Sequence, residues 1–197
     1  FSSSDRGSAV PFNIYRKIIR NIKEDGMVVS SSGYLVRTMV GKIDFSHPQR
    51  ILEVGSGKGV FTREIINRMH PESELHVSDI KRGYNPWIKR MITENPARSI
   101  TLYNECVTQM LQHPEYYDVI VSSLPLKNFE CREDSNAFLH KVIECLKYSL
   151  KVGGMYLQYQ YFLSNKDDIE KIFGKTMDEI SFVPLNLLPA FIYSMTI

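Results

Sequence analysis

From about residue 50 onward, apolar runs of strand length alternate with amphipathic patterns of helical period. The run over residues 117–122 is almost continuously apolar, as expected of a buried central strand. Predicted strands cover residues 50–55, 74–80, 99–103, 117–122, 155–162, 179–186 and 190–196. Predicted helices follow residue 59 and cover residues 86–94, 107–112, 134–150 and 167–173. Such alternation predicts an α/β fold in which helices cover both faces of a seven-stranded, mostly parallel sheet.

Glycine and proline mark several boundaries in this pattern. We expect Gly153 and Gly154 to close the helix over residues 134–150 and to start the fifth strand. Pro48 interrupts the chain before the first strand, and Pro189 separates the last two strands.

Before the first strand, the pattern predicts a helical extension over residues 12–45. Its first helix, over residues 12–24, has an apolar stripe that ends at Ile22 and a polar face that carries Arg16, Lys17, Arg20 and Lys23. A surface helix packed on the domain has this pattern, and so does an interfacial helix on an anionic membrane. A second helix is expected from about Gly33 to Lys42, capped by one of the serines at 30–32.

Composition limits the function classes. A chain of 197 residues with 43% hydrophobic and 23% charged residues is expected to be one globular domain, residues 1–197. A formal net charge of +2 is too small to indicate a nucleic-acid partner by itself. No apolar run reaches ~18 residues, so no transmembrane helix is predicted. The scattered Cys106, Cys131 and Cys145 favour reduced thiols, a cytoplasmic setting and no metal site. We expect no appended domain, and we leave the serine-rich residues 2–8 out of the fold.

The strand over residues 50–55 runs into three alternate glycines and then into a helical pattern. Gly55, Gly57 and Gly59 permit positive φ and close ligand approach, and the following helix offers free N–H groups. A dinucleotide motif would have a further glycine where Val60 stands. With Glu53 before it, the acid-x-G-x-G-x-G turn resembles the first motif of class I S-adenosylmethionine (SAM) methyltransferases. The resemblance implies a Rossmann-like sheet whose last strand is antiparallel, with SAM held by Glu53, Gly55, Ser56, Gly57 and Gly59.

Polar residues at the ends of the next two strands are further candidates, because ligands of open α/β sheets bind beyond the carboxyl ends of the strands. We assign Asp79, with Ile80, to the ribose hydroxyls, although a helix-capping acid would look the same. Glu105 and Cys106 follow the third strand and are candidates for the adenine, or else an ordinary surface loop.

The fourth strand ends in Ser122-Ser123-Leu124-Pro125-Leu126, which resembles the loop that holds the target nitrogen in amine methyltransferases. We assign Ser122 to both the cofactor and the acceptor; a tight turn stiffened by Pro125 is the alternative. Tyr34 and Tyr161 are proposed as catalytic aromatics and Tyr159 as a further candidate, since a cation is attracted to an aromatic face. Core packing would also explain all three tyrosines.

Residues 28–35, 122–126, 153–161 and 186–190, with the glycine loop, together resemble bacterial phospholipid N-methyltransferases, a family related to the ribosomal RNA adenine dimethylases. The likeness covers residues 26–197 and implies methylation of a phosphatidylethanolamine-type amine by an enzyme that docks on the inner face of the membrane. The chain departs from the family at Val29, Lys58, Asp79 and Ser123.

Three other functions stay open on the sequence. An RNA adenine methyltransferase is disfavoured because residues 122–126 lack the asparagine and the aromatic that hold a flipped base. A small-molecule or natural-product amine would fit so short a chain. A non-catalytic SAM-binding module would keep the loop without turnover.

Overall fold

In the computed structural model, residues 33–111, 113–126, 135–161, 163–184 and 189–197 are described. The helices are α1 (Gly33–Val40), α2 (Val60–Arg68), α3 (Asn85–Glu94), α4 (Val107–Met110), α5 (Ser135–Ser149) and α6 (Lys166–Phe173). A 3-10 turn, Arg82–Tyr84, precedes α3. The strands are β1 (Arg50–Val54), β2 (Glu74–Ser78), β3 (Ser99–Tyr103), β4 (Tyr117–Ser122), β5 (Leu150–Gln160), β6 (Glu179–Val183) and β7 (Ala190–Thr196). The helix predicted over residues 12–24 lies outside the described residues.

The strands form one seven-stranded sheet in the order β3-β2-β1-β4-β5-β7-β6. Strands β1 to β5 pair in parallel, and β7 pairs antiparallel with both β5 and β6. Strand order reverses between β1 and β4, which is where an open α/β sheet forms its ligand crevice. The predicted fold class is confirmed, including the antiparallel last strand.

Alternate residues of β1 face two separate hydrophobic clusters. Ile51 packs in the cluster formed with α1, α2 and α3, whereas Leu52 packs in the cluster formed with α5 and α6. All but the first residue of β1 are buried, so the strand lies at the centre of a three-layer structure. Burial on both faces explains why β1 and β4 are almost continuously apolar.

The prediction that Gly153 and Gly154 close the long helix and start the fifth strand is wrong. Helix α5 ends at Ser149, and β5 already begins at Leu150, so both glycines lie inside the strand. Gly153 N–H donates to the Ile197 carbonyl, and Ile197 N–H donates to the Gly154 carbonyl at 3.0 Å. The end of β7 therefore supplies the partners that keep this glycine pair in the sheet.

The carboxyl ends of β1, β2, β5 and β6 differ from prediction by one to three residues. Strand β2 ends at Ser78, so Asp79 and Ile80 follow the strand instead of belonging to it. Strand β6 ends at Val183, and residues 185–188 are outside the described part of the chain. No helix among the described residues is long and apolar enough to cross a membrane.

Candidate functional site

The glycine loop joins the end of β1 to the start of α2. Gly55, Gly57 and Gly59 have φ values of 78°, 54° and 82°, in the left-handed region that glycine adopts at no steric cost. The N–H groups of Gly55 and Ser56 donate to the Ser78 carbonyl, at 2.8 and 3.3 Å. Those bonds attach the loop to the end of β2, beside Asp79.

The three glycines have different surroundings. A Cβ on Gly55 would lie 3.3 Å from the Ser123 carbonyl carbon, and one on Gly59 would lie 2.8 Å from the Ile88 Cδ1 atom. No atom of the described residues would lie within 4 Å of a Cβ on Gly57. Gly55 therefore allows the loop after β4 to approach, Gly59 allows α3 to approach, and Gly57 borders open space in which a ligand can lie.

Glu53 is completely buried beneath the loop. Thr62 Oγ1, in the first turn of α2, donates to one carboxylate oxygen at 2.6 Å, and the other oxygen has no hydrogen-bond partner among the described residues. Burial raises the pKa of Glu53 to about 7; the neighbouring Asp79 contributes to this rise, and the hydrogen bond from Thr62 opposes it. A cationic ligand group beside the free oxygen would stabilise the charged carboxylate.

Asp79 is held directly against the loop. One of its carboxylate oxygens accepts from Gly57 N–H at 2.8 Å, and the other accepts from Lys81 N–H at 2.8 Å. Asn104 Nδ2 donates to the Asp79 carbonyl at 2.9 Å and exchanges side-chain bonds with Asn85. Asp79 is thus brought to the glycine loop as predicted, and its oxygens retain lone pairs for ligand hydroxyls.

The residues predicted to meet the adenine lie at the end of β3. The Ser78 hydroxyl donates to the Glu105 carbonyl at 3.4 Å, so this segment adjoins the β2 end that also carries the loop. The Glu105 side chain is exposed, and Cys106, half-buried, precedes α4 and accepts from Thr108 Oγ1 at 3.2 Å. Ile80, which was assigned to the cofactor together with Asp79, is 67% exposed.

The loop after β4 completes the crevice on its other side. Ser123 N–H donates to the Val54 carbonyl at 2.8 Å, and the Leu124 carbonyl accepts from Gln158 Nε2 at 3.0 Å. Ser122 is fully buried, and its hydroxyl accepts from Leu124 N–H at 3.4 Å. The Ser122 side chain is therefore bonded within the protein, whereas Ser123 Oγ is buried and has no partner in the part of the chain that the structure describes.

The three candidate tyrosines lie in different environments. Tyr34 is 46% exposed on α1. Tyr159 stacks on Phe61 of α2 with ring centroids 5.6 Å apart, and its edge meets Tyr161 at 5.8 Å. Burial raises the pKa of Tyr161, so its phenol stays protonated at neutral pH. Tyr159, near the end of β5, and Tyr161, one residue beyond it, pack against the same hydrophobic cluster, so both contribute to the core.

Sequence reasoning missed three residues that shape this crevice: Thr62, Asn104 and Gln158. Thr62 lies one helical turn after Gly59 and Asn104 directly follows β3, so their positions were available as signals. The contact from Gln158 to the β4 loop depends on the pairing of β4 with β5. No group of three or more histidine, cysteine or carboxylate side chains among the described residues is placed to hold a metal ion.

Three buried acceptors that lack a hydrogen-bond partner among the described residues lie near the ends of β1 and β4. They are a carboxylate oxygen of Glu53, Ser56 Oγ and Ser123 Oγ. Buried polar groups are normally hydrogen-bonded, so such a cluster fits a ligand with several N–H or O–H donors. The amino acid and sugar parts of SAM offer donors of both kinds, and the residues present therefore fit this cofactor.

Comparison with known proteins gives the family. A family model described as "Methyltransferase domain" matches residues 51–149, half of the chain, from β1 through α5. The chain belongs to this methyltransferase family. It is 29% identical to the ornithine lipid N-methyltransferase of Singulisphaera acidiphila, over 83% of each chain. It is also 25% identical to the ubiquinone/menaquinone biosynthesis C-methyltransferase UbiE of Stutzerimonas stutzeri, over 73% of this chain and 51% of that one.

Solved structures share the fold at low sequence identity. The Burkholderia thailandensis 1,6-didemethyltoxoflavin-N1-methyltransferase, bound to 1,6-didemethyltoxoflavin and S-adenosylhomocysteine, superposes with a TM-score of 0.68 at 12% identity, over 98% of this chain and 92% of that one. Precorrin-6y C5,15-methyltransferase of Geobacter metallireducens gives 0.63 at 15% identity, over 82% and 87%. The family match and the glycine loop with its buried acceptors make the protein a SAM-dependent methyltransferase, and its fold is that of the solved methyltransferases. The comparisons give no support to the predicted relation to rRNA adenine dimethylases.

Proposed function

We propose that this methyltransferase transfers methyl groups to the primary amine of a membrane lipid, of the phosphatidylethanolamine type that the motifs predict. The observation that carries the proposal is the likeness to the ornithine lipid N-methyltransferase, which extends over 83% of both chains. Ornithine and ethanolamine head groups share a primary amine, so either lipid presents the same nucleophile.

The cofactor half of the site is assigned to the glycine loop and the strand ends around it. Glu53 and Ser56 offer buried acceptors for the amino acid part of SAM, and Asp79 for the ribose hydroxyls. The segment at Glu105 and Cys106 is assigned to the adenine. When bound, SAM supplies a methyl group already activated on a sulfonium, so the protein contributes mainly by positioning.

The acceptor half is assigned to the loop after β4 and the tyrosines near it. Ser123 Oγ, which is buried without a partner among the described residues, is assigned to accept an N–H bond from the amine. Ser122 supports the loop by accepting from Leu124 N–H, and the Gln158 bond to the Leu124 carbonyl stabilises it further. Tyr161 stays protonated because burial raises its pKa, so it serves as an aromatic wall or a donor and not as the base. The amine proton then leaves to water or to a phosphate of the lipid.

The experiment is methyl transfer from labelled SAM to amine lipids dispersed in detergent, with ethanolamine and ornithine lipids in separate reactions. Label in the lipid, absent when the lipid amine is acetylated, is the expected result. Ser123→Ala should slow transfer more than it weakens SAM binding, whereas Thr176→Ala, at an exposed position after α6, serves as a control. Label in single-stranded RNA with none in either lipid would show that the acceptor is an RNA base.

A ring-carbon acceptor is the second candidate, and the likeness to UbiE favours it. Carbon methylation needs an electron-rich ring, and the label would then be on a ring carbon instead of on a lipid amine. A phenolic quinone precursor in the same assay separates the two, because only one of the acceptors should take up label.

A further inference from the structure

An exposed surface beside the glycine loop combines aromatic, aliphatic and basic residues. It is formed by residues 80–90, and we refer to it as the 80–90 surface. Trp87 on α3 is 43% exposed and Ile80 is 67% exposed, although α3 buries Ile88 and Met91 against the core. Tryptophan is usually well buried, so its position on the outer side of an amphipathic helix indicates a binding surface.

The same surface is strongly basic although the whole chain has a formal net charge of only +2. Lys81, Arg82, Lys89 and Arg90 lie within it, and no acidic residue occurs between positions 80 and 93. Arg90 is paired with Glu94 at 2.6 Å. Among the described residues, no carboxylate forms an ion pair with the other three cations, which leaves them available to an anionic partner.

The 80–90 surface is joined to the cofactor loop by three contacts. The Lys58 ammonium lies 5.1 Å from the centroid of the Trp87 ring, and Lys81 N–H donates to the Asp79 carboxylate at 2.8 Å. Gly59 leaves room for Ile88, whose Cδ1 would be 2.8 Å from an added Cβ. A partner seated on this surface therefore lies at the edge of the crevice, not on a remote part of the protein.

We infer that the 80–90 surface docks the methyltransferase on anionic membranes, with Trp87 and Ile80 at the level of the lipid head groups. Tryptophan concentrates at membrane–water interfaces, and lysine and arginine are attracted to anionic lipids. Single-stranded RNA also binds basic aromatic surfaces, but it needs an open aromatic face on which to stack. Here Lys58 lies over the Trp87 ring and the edge of the ring meets Tyr84, and Ile80 offers nothing to a base.

Docking here would bring the crevice to the depth at which lipid amines lie. A membrane orientation serves catalysis only if the acceptor is a lipid, and in that respect the inference rests on the proposed function. The docking itself is measured without any methyl transfer.

Trp87 is the only tryptophan in the chain, so intrinsic fluorescence reports on this surface directly. The full chain is titrated with phosphatidylcholine vesicles that contain or lack phosphatidylglycerol, and binding is followed in parallel by flotation. We expect a blue shift of the emission and quenching by brominated acyl chains with anionic vesicles, both reversed by high salt.

Two double variants of equal charge provide the comparison. Lys81→Gln/Lys89→Gln removes unpaired cations from the 80–90 surface, whereas Lys141→Gln/Lys171→Gln removes exposed cations from α5 and α6, on the other face of the sheet. Each lysine near an anionic surface contributes about fivefold to the binding affinity, so the first variant should bind anionic vesicles on the order of 25-fold more weakly. The second variant should bind like the wild type. Trp87→Phe should bind more tightly than Trp87→Ala, and SAM affinity by calorimetry should be retained in both lysine variants.

Several results would overturn the inference. Flotation of the protein with vesicles but without a change in Trp87 emission would show that another surface binds. Loss of that flotation on neutralisation of Arg16, Lys17, Arg20 and Lys23 would then locate the surface on the predicted first helix. Equal vesicle binding by the two lysine variants would also contradict docking here. So would a Lys81→Gln/Lys89→Gln variant that retains single-stranded RNA more weakly than the wild type but binds vesicles equally well. Lipid methylation in detergent without vesicle docking would refute this surface alone, whereas docking without lipid methylation would refute the proposed substrate alone.

Discussion

Two of the segments in which the methyltransferase places glycines in the left-handed region lie at opposite ends of the parallel strands. Gly55, Gly57 and Gly59 follow β1 at its carboxyl end, and Gly153, with a φ of 78°, lies near the start of β5. Around the first segment are a buried acid and serine hydroxyls without partners. Around the second, the backbone bonds go to the end of β7, and the neighbouring Val152 is 80% exposed.

The difference shows that left-handed glycines by themselves describe only the path of the backbone. A ligand site also needs buried polar groups that lack protein partners, because those groups gain hydrogen bonds when a ligand binds.

The largest expected effect concerns Glu53. Its pKa is raised from 4.5 to about 7 in the folded protein by burial and, to a smaller extent, by Asp79. Between these values the unfolded chain has lost the proton and the folded chain has kept it, so the free energy of unfolding falls as pH rises. At about 1.4 kcal/mol per unit of pKa, the loss is about 3 kcal/mol by pH 7 and levels off above it.

The measurement is chemical denaturation of the wild type and of Glu53→Gln between acid and neutral pH. The variant cannot titrate at this position, so its unfolding free energy should lack the contribution. The titration of other carboxylates is common to both proteins and cancels in the difference. A wild type and variant with parallel pH profiles would show that Glu53 is already ionised in the folded protein.

Next in size is the contrast between Gly59→Ala and Gly153→Ala. Both substitutions force alanine into the left-handed region, at a cost of roughly 1–2 kcal/mol. Only the first places a methyl group against Ile88 and Met91, because the space beside Gly153 is open to 4 Å. We expect Gly59→Ala to lose about 2 kcal/mol more unfolding free energy, since overpacking adds to the strain. Thermal and urea denaturation measure this, and equal losses would mean that α3 shifts without cost.

Gly57→Ala tests the same contrast by ligand binding. Like Gly153, Gly57 has open space where a Cβ would lie, so the two alanine variants should lose similar stability, about 1 kcal/mol. If the space beside Gly57 receives SAM, only Gly57→Ala should also weaken SAM affinity, by at least about tenfold or 1.4 kcal/mol. Calorimetry with SAM and S-adenosylhomocysteine measures the affinity. Unchanged binding by Gly57→Ala would place the cofactor elsewhere.

The smallest effect is expected at Lys58 in the glycine loop. Its ammonium lies over the exposed Trp87 ring, a contact worth roughly 0.5–1 kcal/mol at such a site. Lys58→Gln should lower the unfolding free energy by about 0.5 kcal/mol and shift Trp87 emission, whereas Val152→Gln beside the other glycine segment should change neither. Identical emission spectra for Lys58→Gln and the wild type would show that the ring contact is not formed in solution.

Local sequence patterns were enough to predict the strands of the sheet and the glycine loop after β1. Apolar runs with strand length predicted all seven strands, and the glycines after Glu53 predicted the loop that the structure shows, because both signals are local: side-chain period and the φ values that glycine permits. The same local rules failed at Gly153 and Gly154, where the pattern indicated a helix end.

The contacts between these elements, and the burial of individual side chains, follow from the three-dimensional packing of the chain. The β7 partners of the Gly153 segment, the bond from Gly57 to Asp79 and the contact from Gln158 to the β4 loop all join residues far apart in sequence. Burial is decided in the same way: Glu53 is enclosed and Trp87 left exposed by the packing of α2 and α3, and no local pattern specifies which neighbours a folded side chain will have.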